Sequence, residues 1–401
     1  EHRVFDLRKE FIDLYRTDTM SVTELCREFS ISRPTAYKFI ERYEEFGETG
    51  LYNLARAPHT HPNATPEEAV CFIISLRTKH PNWGARKLKI ILERDYPVTR
   101  WPAESTIGLI LKQNGLVAGR RRRSPAPGGR TAPLTQAEAP CSVWAADFKG
   151  QFMLGTGQWC YPLTITDSYS RMILKCQGLP TTSCDAALPI WVAAFREHGL
   201  PYVIRTDNGA PFASTGLGGL SRLSVWWLKL GIMPERIAPA SPQENGRHEQ
   251  MHRVLKKETA RPSKPDFKSQ QVAFDKFVDE YNNIRPHEGI GMATPSSLFV
   301  PSPRRYPLRL SKIEYPSGIQ VRHVRTDGYI RWHGDMLFVS EVLTGEYVGL
   351  EQIDEGIYAL FFGPTPLAIL DDRVRGWLPP RKAAPIIKEL REESLQQNTK
   401  V

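Results

Sequence analysis

"CSVWAADFKG", residues 141–150, reads as a strand that carries an aspartate in its interior. Aspartate is disfavoured inside strands, and no turn here excuses Asp147. Two further strands, "WCYPLTITD" at 159–167 and "RMILKCQGL" at 171–179, follow around the turn "SYS". Asp167 falls at that hairpin tip, where a structural aspartate is expected. A helix over about 182–198 then stops at Gly199, and the short apolar strand in "YVIRTDNG" (202–209) ends at Asp207. A helical stretch, a strand near Ile232–Ala238 and a helix opening in "SPQENGRHEQMHR" (241–253) complete the series.

This succession of strands and helices describes a ribonuclease-H-like α/β core over residues 141–300. Working outward, 305–372 returns to short strands separated by glycines, the pattern of a small β-barrel. Residues 373–401 read as a charged, flexible tail with one helix at "APIIKELREES". Upstream, residues 1–58 have the layout of a helix-turn-helix: a Ser/Thr-capped helix with Leu25, Cys26 and Phe29 on one face, a break at "SIS", and a second helix. That second helix turns Ala36, Phe39, Ile40 and Tyr43 inward and offers Arg33, Thr35, Tyr37 and Lys38 to a major groove. Residues 65–117 repeat the theme, with Ser105, Thr106 and Lys112 on the last helix as candidate DNA contacts. The whole is multidomain: tandem helix-turn-helix units, an α/β core and a small barrel.

Net charge is +9 and unevenly spread. Residues 66–130 hold 13 Lys+Arg against 5 Asp+Glu, peaking in "GRRRRSPAPGGR" (119–130). The linker 118–140 is too rich in Arg, Pro, Gly and Ala to build a core, and Arg120, Arg121, Arg122 and Arg123 suit a phosphate backbone. Six cysteines without a CxxC pair point to reduced thiols rather than disulfides or zinc. No run of about 18 apolar residues would span a bilayer, and no charged-then-apolar leader opens the chain. There is neither a phosphate-cradling glycine loop nor a Ser-His-Asp or Cys-His arrangement, so ATP and side-chain nucleophiles are not implied.

Glu244 and Glu249 compete for a catalytic role. On a helical wheel His252, Arg253 and Lys256 fall at i+3, i+4 and i+7 from Glu249, while Met251, Val254 and Leu255 lie opposite. Pro242 and Gly246 leave Glu244 in the loop, so Glu249 is the acid expected on an exposed, cation-bearing face. Two strand-borne aspartates and a helical glutamate suit hard-cation chemistry, with two Mg²⁺ ions serving an in-line displacement at phosphorus.

"WAADFKG", "RTDNGAPF", "SPQENGRHEQMHRVLKKE" and "YNNIRPHEGIGMATPSSLF" together resemble the successive signatures of insertion-sequence transposases in the retroviral-integrase-like DDE superfamily. The resemblance implies that Asp147, Asp207 and Glu249 bind catalytic Mg²⁺, which Mn²⁺ can replace, and cleave and join DNA at transposon ends. Lys149, Asn245, His252, Arg253 and Lys256, which flank the acids, join the candidate DNA contacts. It also implies double-stranded DNA as partner, an assembly of at least two chains on paired ends, and the bacterial cytoplasm, at the nucleoid. In one respect the chain departs from the family: 41 residues separate Asp207 from Glu249, more than usual, whereas 36 precede Glu244. Motif register and helical phase nonetheless favour Glu249, with "STGLGGLSRL" (214–223) as the place for the extra residues. A DNA-binding regulator that retains the fold, and a nuclease that cuts without joining, are the rival readings.

Overall fold

The computed structural model describes residues 2–53, 64–117, 134–148, 150–214, 216–237 and 246–398. The chain forms two compact units, 1–66 and 67–401.

In the first unit, α1 (His2–Arg16), α2 (Val22–Glu28) and α3 (Arg33–Phe46) pack around Phe11, Ile12, Leu25, Cys26, Ala36 and Ile40. Local chemistry sets the helix starts. Ser21 and Glu24 form a reciprocal capping box on α2, and Ser32 caps α3 just ahead of Pro34.

The second unit begins with α4 (Glu67–Lys79), α5 (Ala85–Asp95) and α6 (Glu104–Gln113) around Ile73, Trp83, Leu88 and Ile107. It continues as a mixed sheet built from β1 (Val143–Phe148), β2 (Phe152–Met153), β3 (Trp159–Asp167), β4 (Ile173–Leu179), β5 (Val203–Thr206) and β6 (Met233–Arg236). β3 pairs antiparallel with β4, β1 and β2, whereas β1, β5 and β6 run parallel. Helices α7 (Cys184–His198) and α8 (Arg222–Lys229) cover one face, with Trp191, Phe195 and Trp227 packing on Trp144, Ala146, Leu163, Ile165 and Ile204. On the other lie α9 (Gly246–Thr259) and α10 (Phe267–Asp279), with Met251, Leu255, Phe274 and Phe277 against Cys160, Ile173 and Cys176. This is the ribonuclease-H-like α/β arrangement expected from the sequence.

Non-local polar contacts hold α10 and the segment after it in place. Asn282, buried just past α10, accepts from the Ile173 amide at 2.9 Å and donates to the Ile173 carbonyl at 2.9 Å, acting as a one-residue strand partner for β4. The short α11 (Pro295–Leu298) follows. The last strands are β7 (Gln320–His323), β8 (Tyr329–Trp332), β9 (Asp335–Phe338), β10 (Tyr347–Asp354), β11 (Ile357–Phe362), β12 (Thr365–Asp371) and β13 (Gly376–Trp377). Among the described residues they build an open sheet of order β13-β12-β11-β10-β7 and a separate β8-β9 ribbon around one core, a half-barrel.

Two expectations change. The segment read as a flexible tail with one helix supplies β13 and a longer, docked helix α12 (Pro380–Asn398), whose Ala383, Ile386 and Leu390 pack on Ala359, Phe361 and Ile369. Arg381, Lys382, Lys388 and Glu389 are exposed on the other side of this amphipathic helix, so the charge that composition reads as looseness belongs to a docked element. The glycine-rich stretch 214–223 is also more than a tolerated insertion. Leu220, with Val225 and Leu228 of α8, belongs to the core of the C-terminal sheet. Gly218 lies so close to β12 that a Cβ there would meet the Leu367 side chain at 2.5 Å. The 214–223 stretch thus helps seat the C-terminal sheet on the α/β core.

All six cysteines are free thiols, and no helix among the described residues is long and apolar enough to cross a membrane.

Replacing Asn282 with Ala strands two buried backbone groups, so the unfolding midpoint of the core should fall by the equivalent of about 2–4 kcal/mol, with Asn282→Asp in between. His287 supplies a pH dependence. Burial, with help from Lys87, Arg285 and Arg171, pushes its pKa down to about 3 despite a 3.1 Å bond from Nε2 to the Tyr281 carbonyl. The unfolded chain therefore takes up a proton that the folded chain refuses. Stability is lost as pH falls below the ordinary value of 6.5. Between pH 7 and pH 5 this histidine should account for about 2 kcal/mol, measured as the part of the pH dependence that disappears in His287→Gln.

Candidate active site

Strand alternation decides which side chains can meet. Trp144 and Ala146 of β1 point to the α7/α8 face, so Ala145 and Asp147 point toward α9. The same rule places Ile204 on the α7/α8 side and Val203, Arg205 and Asp207 on the α9 side. The parallel register pairs Val143 with Val203 and Ala145 with Arg205; carried two residues further, it sets Asp207 level with Asp147. Asp147 therefore lies near the carboxyl end of β1 and Asp207 directly follows β5, at the same end of two adjacent parallel strands. The Asp147 side chain is 22% exposed. Asp207 is half-buried, and its Oδ1 accepts from the Gly209 amide at 3.1 Å, so it also closes its own turn.

Helix α9 lies across this face. His248, Met251, His252, Leu255 and Thr259 recur at helical spacing, and all are buried. Glu249 is exposed, and Arg253 is exposed with it; Lys256 is half-buried. The phase argument thus places Glu249, Met251 and Leu255 correctly, but His252 is not on the exposed face. Its Nε2 lies 2.6 Å from Thr164 Oγ1, and its Nδ1 lies 3.5 Å from Asp147 Oδ2. His248 stands beside it at 4.5 Å between ring centroids, with Nε2 2.7 Å from Thr164 Oγ1 and Nδ1 3.1 Å from Thr166 Oγ1. His252 is consequently no direct DNA contact in this arrangement. A helical wheel scores histidine as polar and turns it to solvent, whereas Thr164 on β3 meets it in the interior. The only cue in the sequence was the i, i+4 pair His248/His252 facing the alternating Thr164 and Thr166 of "LTIT". Asp147, His248 and His252 each offer a ligand atom within 4.8 Å of the others, a grouping that reading the sequence missed.

Asp167 is fully buried and accepts from the Cys141 amide at 2.8 Å, the Ser170 amide at 2.8 Å and the Ser170 hydroxyl at 2.6 Å. Burial raises its pKa, and three donors hold it in place, so it is the structural aspartate expected. The end of the linker is held as well. The Thr135 amide donates to Glu235 on β6 at 2.8 Å, and Arg205 on β5 bridges Glu235 and the Thr135 carbonyl at 2.6 Å each. Residue 135 is thereby pinned two strand positions before Asp207.

On α3, Arg33, Tyr37 and Lys38 are exposed and Thr35 is half-buried beside its cap Ser32. The later turns expose Glu41, Glu44 and Glu45, and residues 1–66 hold 9 Lys+Arg against 11 Asp+Glu. Only the first turns of α3 therefore suit contact with a polyanion. On α6, Ser105 and Lys112 are exposed and Thr106 half-buried. Arg120, Arg121, Arg122, Arg123, Lys149, Glu244 and Asn245 lie outside the described residues.

Family models described as "Integrase core domain" match residues 137–242 and 230–295. A "Helix-turn-helix domain" matches 7–59, and a "Homeodomain-like domain" matches 35–111. The candidate transposase of insertion sequence element IS986/IS6110 from Mycobacterium tuberculosis is 27% identical over 239 residues, 54% of this chain and 81% of that protein. An uncharacterized 39.2 kDa protein of insertion element IS476 from Xanthomonas euvesicatoria is 26% identical over 254 residues, 62% of this chain and 70% of that one. Among solved structures, the HTLV-2 integrase catalytic core domain in complex with magnesium aligns with 41% of this chain and all of that one, at 15% identity and a TM-score of 0.33. An uncharacterized protein of insertion element IS136 from Agrobacterium fabrum is 36% identical over 161 residues, which cover 38% of this chain and 79% of that protein. With strand-end aspartates, a crossing α9 and helix-turn-helix units already in place, the chain belongs to the insertion-sequence transposases of the retroviral-integrase-like DDE superfamily.

Proposed function

We propose that this protein binds the terminal inverted repeats of its element and catalyses Mg²⁺-dependent DNA cleavage and strand transfer, with Asp147, Asp207 and Glu249 as the metal-binding acids. The observation that supports this most is the strand arrangement: Asp147 near the carboxyl end of β1, Asp207 directly after its parallel neighbour β5, and the helix that carries Glu249 packed on β1. Carboxylate oxygens at strand ends, partly open to solvent, are the hard donors that Mg²⁺ requires, so the residues fit the ion. Bound there, Mg²⁺ would activate a water or 3′-hydroxyl and stabilise the leaving oxygen. The chain's own share is to fix the carboxylates through β1, β5 and α9, and to offer Arg253 and Lys256 beside Glu249 to DNA phosphates. Arg33, Tyr37 and Lys38 would read bases, while Arg120, Arg121, Arg122 and Arg123 would hold backbone. The active species is at least a dimer, because coordinated joining needs two ends. The protein would work at the bacterial nucleoid.

Asp147→Asn, Asp207→Asn and Glu249→Gln should each abolish nicking and joining of end DNA while leaving end binding nearly intact; Glu244→Gln should stay active. A dead Glu244→Gln beside an active Glu249→Gln would reassign the third acid. Replacing the four arginines 120–123 with alanine should weaken binding to all sequences and lower the salt slope by about 3–4. Substituting Arg33 or Lys38 should instead cost about 1–3 kcal/mol of preference for the cognate end. Competition binding separates the two, and a uniform loss from both sets would remove the distinction.

A further inference from the structure

Two histidines and two threonines lie between β3 and α9, where aliphatic side chains would pack at lower cost, and with His252 neutral their protons can be ordered from Asp147 outward. An ionised carboxylate only accepts, so His252 must present Nδ1–H to Asp147 Oδ2, across 3.5 Å. A neutral His252 then has a bare Nε2, to which the single Thr164 proton must be given at 2.6 Å. Having spent that proton, Thr164 accepts from His248 Nε2–H at 2.7 Å. His248 Nδ1 is then bare and takes the Thr166 proton at 3.1 Å. The chain runs Thr166 to His248 to Thr164 to His252 to Asp147. The Asp147 carbonyl at 3.1 Å from Thr164 Oγ1 and the Ala145 carbonyl at 3.3 Å from Thr166 Oγ1 are the competing acceptors on β1 for the same two protons.

We propose that this chain makes His252 a positioning residue: anchored by Thr164, it holds Asp147 Oδ2 by Nδ1–H and so fixes the carboxylate that would bind a divalent cation. The last step, at 3.5 Å, is an electrostatic contact that would tighten into a hydrogen bond as the carboxylate turns toward a bound ion. Because Thr164 sits opposite Asp147 in the β1-β3 register, the same chain ties α9, and so Glu249, to the strand that carries Asp147. Two separate elements of the site are thus set against each other by one hydroxyl. The inference rests on Asp147 being a metal ligand.

The test measures Mn²⁺ binding to the full chain, without DNA, from the free-ion signal in electron paramagnetic resonance, alongside the metal-free unfolding midpoint. Asp147→Asn is the control. If it binds Mn²⁺ like the wild type, the metal reading itself fails; if it loses binding, the remaining variants judge the histidine alone. His252→Phe should weaken Mn²⁺ binding about 10–100-fold, the usual effect of removing a partner behind a ligand. His252→Asn puts an amide N–H where Nδ1 stood and should restore most of the affinity. His252→Gln places its amide where Nε2 stood, keeps the Thr164 link, and should not. A purely structural anchor predicts the opposite order, with Gln rescuing and the metal-free midpoint tracking the losses. Thr164→Val, isosteric and lacking only the hydroxyl, serves if His252→Phe fails to fold and should also weaken Mn²⁺ binding, with Thr164→Ser as its rescue. Unchanged Mn²⁺ affinity in the folded His252→Phe or Thr164→Val variant would overturn the proposal. So would stoichiometric Zn²⁺ capture lost in both His248→Leu and His252→Phe, with Mn²⁺ affinity intact, since the histidines would then form a metal site of their own.

Discussion

The packing of α9 across β1 and β3 is the contact on which the site depends. Period-two alternation sorts the strands, so that Trp144, Ala146, Leu163 and Ile165 fill the core beneath α7 and α8 while Asp147, Thr164 and Thr166 face α9. The helix answers with one buried row, His248, Met251, His252, Leu255 and Thr259. Its apolar members join the cluster that includes Phe274 and Phe277 of α10, and its polar members meet the threonines. Glu249 is exposed because that row is buried. A one-residue change in the phase of α9 would carry the glutamate about 100° around the helix.

Around that contact, neighbouring elements act as clamps. Asn282 ties the end of α10 to β4, and Arg205 with Glu235 pins Thr135 beside the strand that leads to Asp207. On the far side of the second unit's helical module, His80 Nδ1 lies 2.8 Å from Glu280, and Asn82 donates to Glu258 at the end of α9 at 2.8 Å. The second set of helices is therefore fixed directly to the α/β core, and the 214–223 loop packs the C-terminal sheet against it. The first 66 residues form a separate unit with an excess of acids, so any grip on DNA there must come from the start of α3 rather than from bulk charge.

Much of this was legible in the sequence for reasons of local physics. Asp147 stood out because a strand interior is a poor place for an aspartate, and Asp167 was recognisable as structural from its hairpin tip. The phase of α9 followed from Met251 and Leu255. What was not legible depends on partners far away in the chain. His252 reads as polar and exposed until Thr164, 88 positions earlier, is found against it. The role of Asn282 exists only through the backbone of Ile173, 109 positions away. Likewise, "APIIKELREES" reads as a helix, but its docking depends on the apolar faces of β11 and β12 that bury Ala383 and Ile386.

The most direct test of the central claim, that the acids of β1, β5 and α9 form one metal site, is a crystal of the full chain soaked in Mn²⁺ and measured at the manganese absorption edge. Anomalous density bounded by the carboxylates of Asp147, Asp207 and Glu249, with His252 Nδ1 behind Asp147 rather than on the ion, is the predicted result. Density held by His248 and His252 alone, or none at the ends of β1 and β5 under saturating Mn²⁺, would contradict it.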